Sequence, residues 1–322
     1  MSDVAAVHPP WRSSKLLTAY LVVISLLVLL VIVGGLVSDR FLTMRNFTNL
    51  LQQLAVLGFA SLGQTLVVLL GGIDLAIGSL VSACTVFLAS FMEWRPDLAW
   101  LAVPLVLAGA ALVGAVNGLL TAVLRIHPLI VTLGMSSIIF GGTLMYRKEP
   151  GGSIPVSFGD LAYDSYFGIP VSTFALVAVF LVAGLWLQRT ASGRLMYFVG
   201  GDAKAARLNG FPVMRITVLA YALCGLCAGL AAIFLTARTG VGDPRIGINL
   251  TLQSITPVVI GGTILAGGRG GVLGTFLGVL LVALLNNLLN FSGVSSFYQW
   301  VIQGIIIIVA VGLHSKKTTW QR

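Results

Sequence analysis

The sequence predicts an all-α integral membrane protein, and three observations carry that prediction. Hydrophobic residues make up 57% of the 322 residues and charged residues only 9%, whereas a soluble domain carries about 25% charge. Apolar runs recur along almost the whole chain, each near the ~20 residues that cross a hydrocarbon core. The polar residues fall in short stretches between those runs, leaving room for about ten spans and no sizeable soluble domain.

Taken in order, transmembrane helices are expected at residues 16–37, 54–71, 74–92, 98–123, 128–146, 170–187, 215–236, 251–266, 271–290 and 297–313. The first follows Arg12 and Lys15. It is longer than the apolar core of a signal peptide, and no small-x-small cleavage site follows, so it reads as an uncleaved span with its N-terminus in the cytoplasm. From that start, the cytoplasmic side receives twelve basic residues: Arg12, Lys15, Arg125, Arg189, Arg194, Lys204, Arg207, Arg215, Arg269, Lys316, Lys317 and Arg322. The external side receives seven: Arg40, Arg45, Arg95, Arg147, Lys148, Arg238 and Arg245. The bias puts both termini inside and requires an even number of spans. It also accounts for the formal charge of +9. With no basic run interleaved with aromatics, nucleic acid is not an expected partner, while anionic lipid is.

The whole chain, 1–322, reads as one transmembrane domain, with tails at 1–15 and 314–322 and two longer connections. Residues 151–168 form a polar external excursion with room for an interfacial helix. Residues 188–214 form the largest basic loop, on the cytoplasmic side. Within it, Asp202-Ala-Lys-Ala-Ala-Arg-Leu-Asn-Gly210 predicts a short helix: Asp202 caps its start, Gly210 ends it and Pro212 prevents its continuation. Such a helix either lies at the membrane surface or docks a cytoplasmic partner.

No enzymatic signature is present. Gly261-Gly-Thr-Ile-Leu-Ala-Gly-Gly268 lacks the lysine of a phosphate-binding loop, and no His-Glu-x-x-His occurs. The histidines have no partners at ligand spacing, so no metal site is expected. Cys224 and Cys227 have redox-pair spacing, but Tyr-Ala-Leu-Cys-Gly-Leu-Cys-Ala-Gly is a membrane helix in which small residues permit close packing. The pairs Gly114–Gly118, Gly225–Gly229 and Gly274–Gly278 carry the same packing expectation.

Broken helices are the more informative feature. Gly71-Gly-Ile-Asp-Leu-Ala-Ile-Gly-Ser79 interrupts an apolar stretch, and Asp74 is expected to N-cap the helix that restarts near the cytoplasmic end, within reach of water. A carboxylate at membrane depth is a functional candidate by default, although the capping role weighs more heavily. Glycines from Gly261 to Gly271, around Arg269, predict a tight cytoplasmic turn. Polar residues inside apolar spans are candidates for a translocation pathway: Gln64, Thr65, Asp74, Asn117, Thr132, Gln253, Asn286, Asn287 and Asn290. Interhelical hydrogen bonds account for the same residues equally well. Apart from Asp74 they are neutral amides and hydroxyls, which suits a hydroxyl-rich solute better than an ion relay.

Several stretches together give the chain a recognisable likeness. They are Phe41-Leu-Thr-Met-Arg-Asn-Phe-Thr-Asn-Leu-Leu-Gln-Gln53, Gly71-Gly-Ile-Asp-Leu-Ala-Ile-Gly-Ser-Leu80, Gly200-Gly-Asp-Ala-Lys-Ala-Ala-Arg-Leu-Asn-Gly210, Val259-Ile-Gly-Gly-Thr-Ile-Leu-Ala-Gly-Gly268 and the Leu285–Gln299 segment. From Phe41 onward the chain resembles the permease subunits of ABC importers for ribose and related monosaccharides. The resemblance implies a bacterial inner-membrane dimer of ten-span subunits, two copies or two paralogues, in the type II (vitamin-B12-importer-like) arrangement. It implies a periplasmic sugar-binding protein outside and an ATPase with two nucleotide-binding domains inside, which alone binds ATP and Mg. The chain itself is then a non-catalytic transport subunit with no cofactor. Gly200, Gly201, Asp202, Ala205, Ala206, Arg207, Leu208 and Gly210 would form the coupling element, with Ala206 and Arg207 facing the ATPase. Ile126, His127 and Pro128, at the turn between spans four and five, would form the cytoplasmic gate. Ala76 and Ile77 depart mildly from the ribose-type pattern, which leaves the fold secure and the sugar open.

Overall fold

The computed structural model describes residues 14–315, and those residues are almost entirely helical. The tails expected at 1–15 and 314–322 lie largely outside them. Helix α1 spans Ser14–Val37 and α2 Met44–Leu69; α3 (Ile77–Trp94) is followed by a 3₁₀ turn at Pro96–Leu101 that runs into α4 (Ala102–Leu124). Helix α5 covers Pro128–Tyr146, α6 Val156–Tyr163, α7 Val171–Arg189, α8 Ala191–Gly201 and α9 Ala203–Leu208. The remaining helices are α10 (Val213–Thr239), α11 (Leu250–Ile260), α12 (Val272–Phe291) and α13 (Ser296–Ser315). Among the described residues, seven helices are long and apolar enough to cross a membrane.

Helix α2 is the most buried of these and starts well before the expected 54. Thr43 Oγ1 accepts from the Asn46 N–H at 3.4 Å, and the polar first turns find partners: Gln52 Nε2 donates to the Ala162 carbonyl at 2.8 Å. Helices α4 and α10 meet backbone to backbone. A Cβ at Gly118 would lie 2.7 Å from Val218 Cα, while Gly114 abuts the Tyr221 carbonyl and Gly225 the Ala110 carbonyl. Gly274 and Gly278 bring α12 equally close to Gly261 and Pro257 of α11. All three small-residue pairs therefore pack helices. Cys84, Cys224 and Cys227 are buried and unpaired.

Two stretches correct the sequence reading. The span expected at 251–266 is a helix only from Leu250 to Ile260, about 16 Å long and so too short to cross the membrane. Before it, residues 241–249 run along α3 without regular structure. The Asp243 carbonyl meets Thr85, the Gly247 N–H donates to Ser82 Oγ at 2.9 Å, and Thr251 Oγ1 accepts from the Gly78 N–H at 3.2 Å. Irregular backbone at such a depth persists only where protein groups satisfy it, and the α3 hydroxyls do so here. The 188–214 loop holds two helices rather than one, so Gly200 and Gly201 end α8 instead of leading into a single short helix.

The two ends of the bundle differ in charge chemistry. At one end, Arg95 pairs with Asp97 at 3.0 Å and Arg147 with Glu93 at 3.5 Å. There α6 leads to a two-residue hairpin, Ser165–Tyr166 with Ile169–Pro170. The opposite, basic end carries α8, α9, the α4–α5 turn and the 261–271 loop. Among the described residues its arginines form no ion pair.

Candidate translocation and coupling site

At the basic end α2 stops at Leu69 in a glycine-terminated motif. The Gly71 N–H, at φ +78°, donates to the Val68 carbonyl, and the Gly72 N–H to the Val67 carbonyl. This is the double bond of a Schellman stop, which needs a residue free to adopt left-handed φ. The chain then climbs back into the bundle. Asp74 comes level with Gln64, whose amide, in the orientation that satisfies both groups, donates to the Asp74 carbonyl and accepts from the Asp74 N–H at 3.2 Å. Thr132 of α5 shares its hydroxyl between the Ile73 carbonyl (3.2 Å) and that of Pro128 (3.0 Å). Thus Gln64 and Thr132 serve the interruption itself, supplying side-chain bonds that an extended segment at this depth cannot make to water.

Asp74 does not cap α3. Ala76 occupies the position before the helix, and Asp74 Oδ1 accepts from the Ala76 N–H at 2.9 Å, bracing the turn one residue earlier. Nor does water reach it: Asp74 is 1% exposed, and its second interaction is with the Cys224 side chain. The expectation of a wet cap fails because the segment folds upward, away from the helix end.

The other pathway candidates separate into two groups. Thr65 Oγ1 bonds Thr275 Oγ1 at 2.7 Å, Asn287 exchanges two bonds with Asn46 at 2.9 and 3.0 Å, Asn286 accepts from Gln303 at 3.0 Å and Asn290 from Gln299 at 2.7 Å. Each of these ties two helices together. Asn117 differs: it is 1% exposed, and neither atom of its amide meets a hydrogen-bond partner among the described residues. Gln253 is half-buried near the start of the short α11.

The segment expected to couple, 200–210, is more firmly built than its sequence suggests. Thr190 Oγ1 caps α8 through the Gly193 N–H at 3.1 Å; Asp202 ends that helix and caps α9, accepting from the Lys204 and Ala205 N–H groups at 2.9 and 2.8 Å. A second Schellman stop closes α9. Gly210 (φ +77°) donates to the Arg207 carbonyl, and Phe211 donates to Ala206 and packs its ring edge-on against Phe198 at 5.1 Å. Ala206 is 0% exposed and turned into the protein, whereas Lys204, Arg207 and Leu208 face outward. The expected docking face therefore loses Ala206 and Ala205 is only partly available, because an alanine in the middle of so short a helix is taken by packing against α8 and α10.

Gly200 makes the decisive contact. It lies directly against the Leu69 carbonyl, the same oxygen that accepts from the Gly268 N–H at 2.9 Å. A Cβ on Gly267 would come within 2.6 Å of the Gly200 carbonyl and 2.8 Å of Gly71 N. Three backbones thus meet with no side chain between them: the end of α8, the end of α2 and the 261–271 loop. Arg125, at the left-handed end of α4 (φ 55°), leads into the expected gate. His127 Nδ1 caps α5 through the Leu129 N–H at 3.4 Å, and Pro128 occupies the first helical turn, where it lacks nothing. Ile126, His127 and Pro128 share one cavity of about 660 Å³ with Arg207 and Phe211. The α4–α5 turn and α9 therefore line one space together with the start of α10.

Comparison with known proteins joins this geometry to a family. Residues 46–311 match the family described as the permease component of branched-chain amino acid transport systems. This chain belongs to that permease family. The permease is also 40% identical over 303 residues to the ribose import permease protein RbsC of Escherichia coli K12, covering 91% of this chain and 92% of that protein. It is 39% identical over 295 residues to RbsC of Bacillus subtilis 168 (91% and 91%), and 36% identical over 303 residues to the fructose import permease protein FrcC of Rhizobium meliloti (90% and 82%). No solved structure matches it.

Two features of the permease escape a reading of its sequence. Cys224 reads as a small packing residue, yet it meets the Asp74 carboxylate, and the Tyr221 hydroxyl stands where a Cβ on Gly72 would come within 2.6 Å. Nothing in an apolar helix announces which of its residues meets an interruption in another. The 241–249 segment did carry a signal, because Gly240, Gly242, Pro244 and Gly247 crowd it with turn formers. Such a run reads as a surface loop, and its depth comes only from α3.

Proposed function

We propose that this permease is the membrane-spanning subunit of an ATP-driven, binding-protein-dependent importer of a monosaccharide, a ribose-like pentose or a related sugar. The backbone junction at Gly200, Leu69 and Gly267–Gly268 carries this reading, because a cytoplasmic helix seated on the end of a buried span is what an external motor needs. Relatives named as ribose and fructose import permeases, matched over nine-tenths of the chain, support a sugar as cargo. Neutral amides and hydroxyls within the spans agree with a neutral solute.

In this reading the nine full-length helices α1–α5, α7, α10, α12 and α13, with the irregular 241–249 segment and the short α11 together making one further crossing, give ten passes of a type II subunit with both termini cytoplasmic. The subunit pairs with a second copy or a paralogue. Helix α5 favours such a pairing: extra Cβ atoms at Gly134, Gly141 and Gly142 would meet nothing within 4 Å among the described residues, and small residues on a membrane helix serve close helix partners. A soluble ATPase with two nucleotide-binding domains docks on the outward-facing Lys204 and Leu208, beside the cavity that Arg207 lines, and supplies ATP and Mg, while an external sugar-binding protein delivers the cargo. Closure of the ATPase moves α8 and α9. Gly200 passes that movement to the end of α2 and the Asp74 interruption, and Thr132 passes it to the start of α5 and the gate at Ile126–Pro128. The cavity is opened to each side in turn.

Co-purification with a soluble ATPase, followed by ATP-dependent uptake of labelled ribose into proteoliposomes, tests the proposal. Competition by arabinose or fructose and indifference to leucine are expected. Uptake that needs a proton or sodium gradient and no ATPase would refute it, and ATP-driven leucine uptake would move the cargo to branched-chain amino acids.

A further inference from the structure

The cavity shared by the gate turn and the coupling helix has a chemistry that sugar transport does not use. Arg125, His127 and Arg207 line it, and its lining contains no acidic residue. Neither arginine has an ion-pair partner among the described residues. With Nδ1 of His127 accepting from Leu129, its Nε2 is left as a donor. Pro212, Val213 and Met214, the start of the 27-residue α10, form another part of the wall, and no side chain caps that helix. The Val213 N–H already donates to the Phe211 carbonyl at 2.8 Å, so the cations carry most of the selection, and beside a helix start without a side-chain cap they favour an anion, phosphate above all.

The rest of the lining restricts which phosphate fits. Val123, Phe211 and Met214 are apolar and outward-facing, and the lining runs up the last turn of α4 to Thr121 and along α10 to Thr217. A free inorganic anion has no use for such walls, and a soluble protein surface would have to reach about one turn up the flanks of two membrane helices. A charged head with hydrocarbon attached fits both parts. We propose that this cavity binds the headgroup of an anionic glycerophospholipid, with Arg125, Arg207 and His127 on the phosphate and the acyl chains against α4 and α10. The lipid would then sit between the gate and the coupling helix and stiffen the α4–α5 turn. That this end faces the anionic cytoplasmic leaflet rests on the topology proposed above; the binding chemistry does not.

The full-length permease in neutral detergent provides the test, with thermal unfolding followed against added phosphatidylglycerol, phosphatidylcholine or inorganic phosphate. Phosphatidylglycerol alone is expected to raise the midpoint. Arg125→Ala with Arg207→Ala should weaken its apparent affinity roughly 30-fold, equivalent to ~2 kcal/mol at ~1 kcal/mol per arginine near the surface. Arg125→Lys with Arg207→Lys, which keeps the charges, should restore most of it. Equal shifts from both lipids would overturn the site, as would an unchanged affinity in the alanine variant. A shift from inorganic phosphate equal to that from phosphatidylglycerol would overturn the lipid as occupant. So would loss of the lipid effect once the ATPase is bound, which would make the cavity a partner's socket. Because the assay needs no transport, a lipid effect without sugar uptake would leave this inference standing and sink the function proposed above.

Discussion

At the basic end of the permease the chain is held in two contrasting ways. The interruption at 70–76 is held by side chains: Gln64 on both polar groups of the Asp74 backbone, Thr132 on the Ile73 carbonyl and Asp74 on the Ala76 N–H. The junction beside it is held by bare backbone, with Gly200, Gly267 and Gly268 stacked on Leu69 and Gly71. A side-chain bond can be lost one at a time, each leaving a buried group unpaired at about 1–3 kcal/mol. A backbone contact has no such gradation, because the first added carbon already occupies the space. In the proposed mechanism, the motor's push enters through the rigid contact and spreads through the adjustable one.

The sharpest test of this contrast lies in neighbouring glycines. Gly267→Ala adds a Cβ within 2.6 Å of the Gly200 carbonyl at a φ of +90°, so two costs add and the loss should exceed about 3 kcal/mol. The chain should fail to accumulate in membranes or lose its thermal transition. Gly201→Ala is the control: a Cβ there meets nothing within 4 Å, and its effect on melting should stay within about 0.5 kcal/mol. Similar behaviour of the two variants would remove the distinction between backbone-held and side-chain-held regions.

The next effect belongs to the side-chain-held interruption. Gln64→Leu leaves the Asp74 N–H and carbonyl without their partner, so roughly 2–6 kcal/mol should be lost across the two groups. Gln64→Glu, whose neutral carboxyl can accept from the N–H and donate to the carbonyl, should recover part of it. Thermal unfolding in detergent reads both, and equal melting of Leu and Glu variants would show that this pair does not hold the segment.

How much of this was legible in the sequence follows the same division. Helices announce themselves through apolar length, and α5 begins and ends where the sequence places it, because Pro128 fixes one end and the charged run from Arg147 the other. Glycine stops are equally readable: Gly71 and Gly210 end their helices because only glycine accepts that φ cheaply. Asp202 caps α9 as its position predicts. What could not be read is depth and direction. Asp74 and its glycines signal a break, but not that the chain folds back up beside Gln64. Gly240 to Asn249 signal a loop, but not that Ser82 and Thr85 draw it along α3. Ala206 looks like any surface alanine until α8 and α10 close over it. In each case the missing information lies in how one element packs on another, nearby in sequence for Asp74 and Ala206 and distant only for the 240–249 segment.

The smallest expected effect concerns the carboxylate itself, and it bears on mechanism more than on stability. In Asp74→Asn the amide oxygen can still accept from the Ala76 N–H, so melting should fall by no more than about 1 kcal/mol, the net worth of a typical hydrogen bond. A permease driven by ATP has no need for the negative charge, and uptake should persist at close to its original rate. Asp74→Ala should cost about 1–3 kcal/mol, since the Ala76 N–H then lies buried without a partner. A secondary transporter would reverse the order, with Asn abolishing uptake while leaving melting intact, because a coupling carboxylate works through its charge. Melting and uptake measured together on the two variants therefore separate a braced turn from an ion site. Their agreement, with Ala worse than Asn in both, is the result that the turn geometry requires.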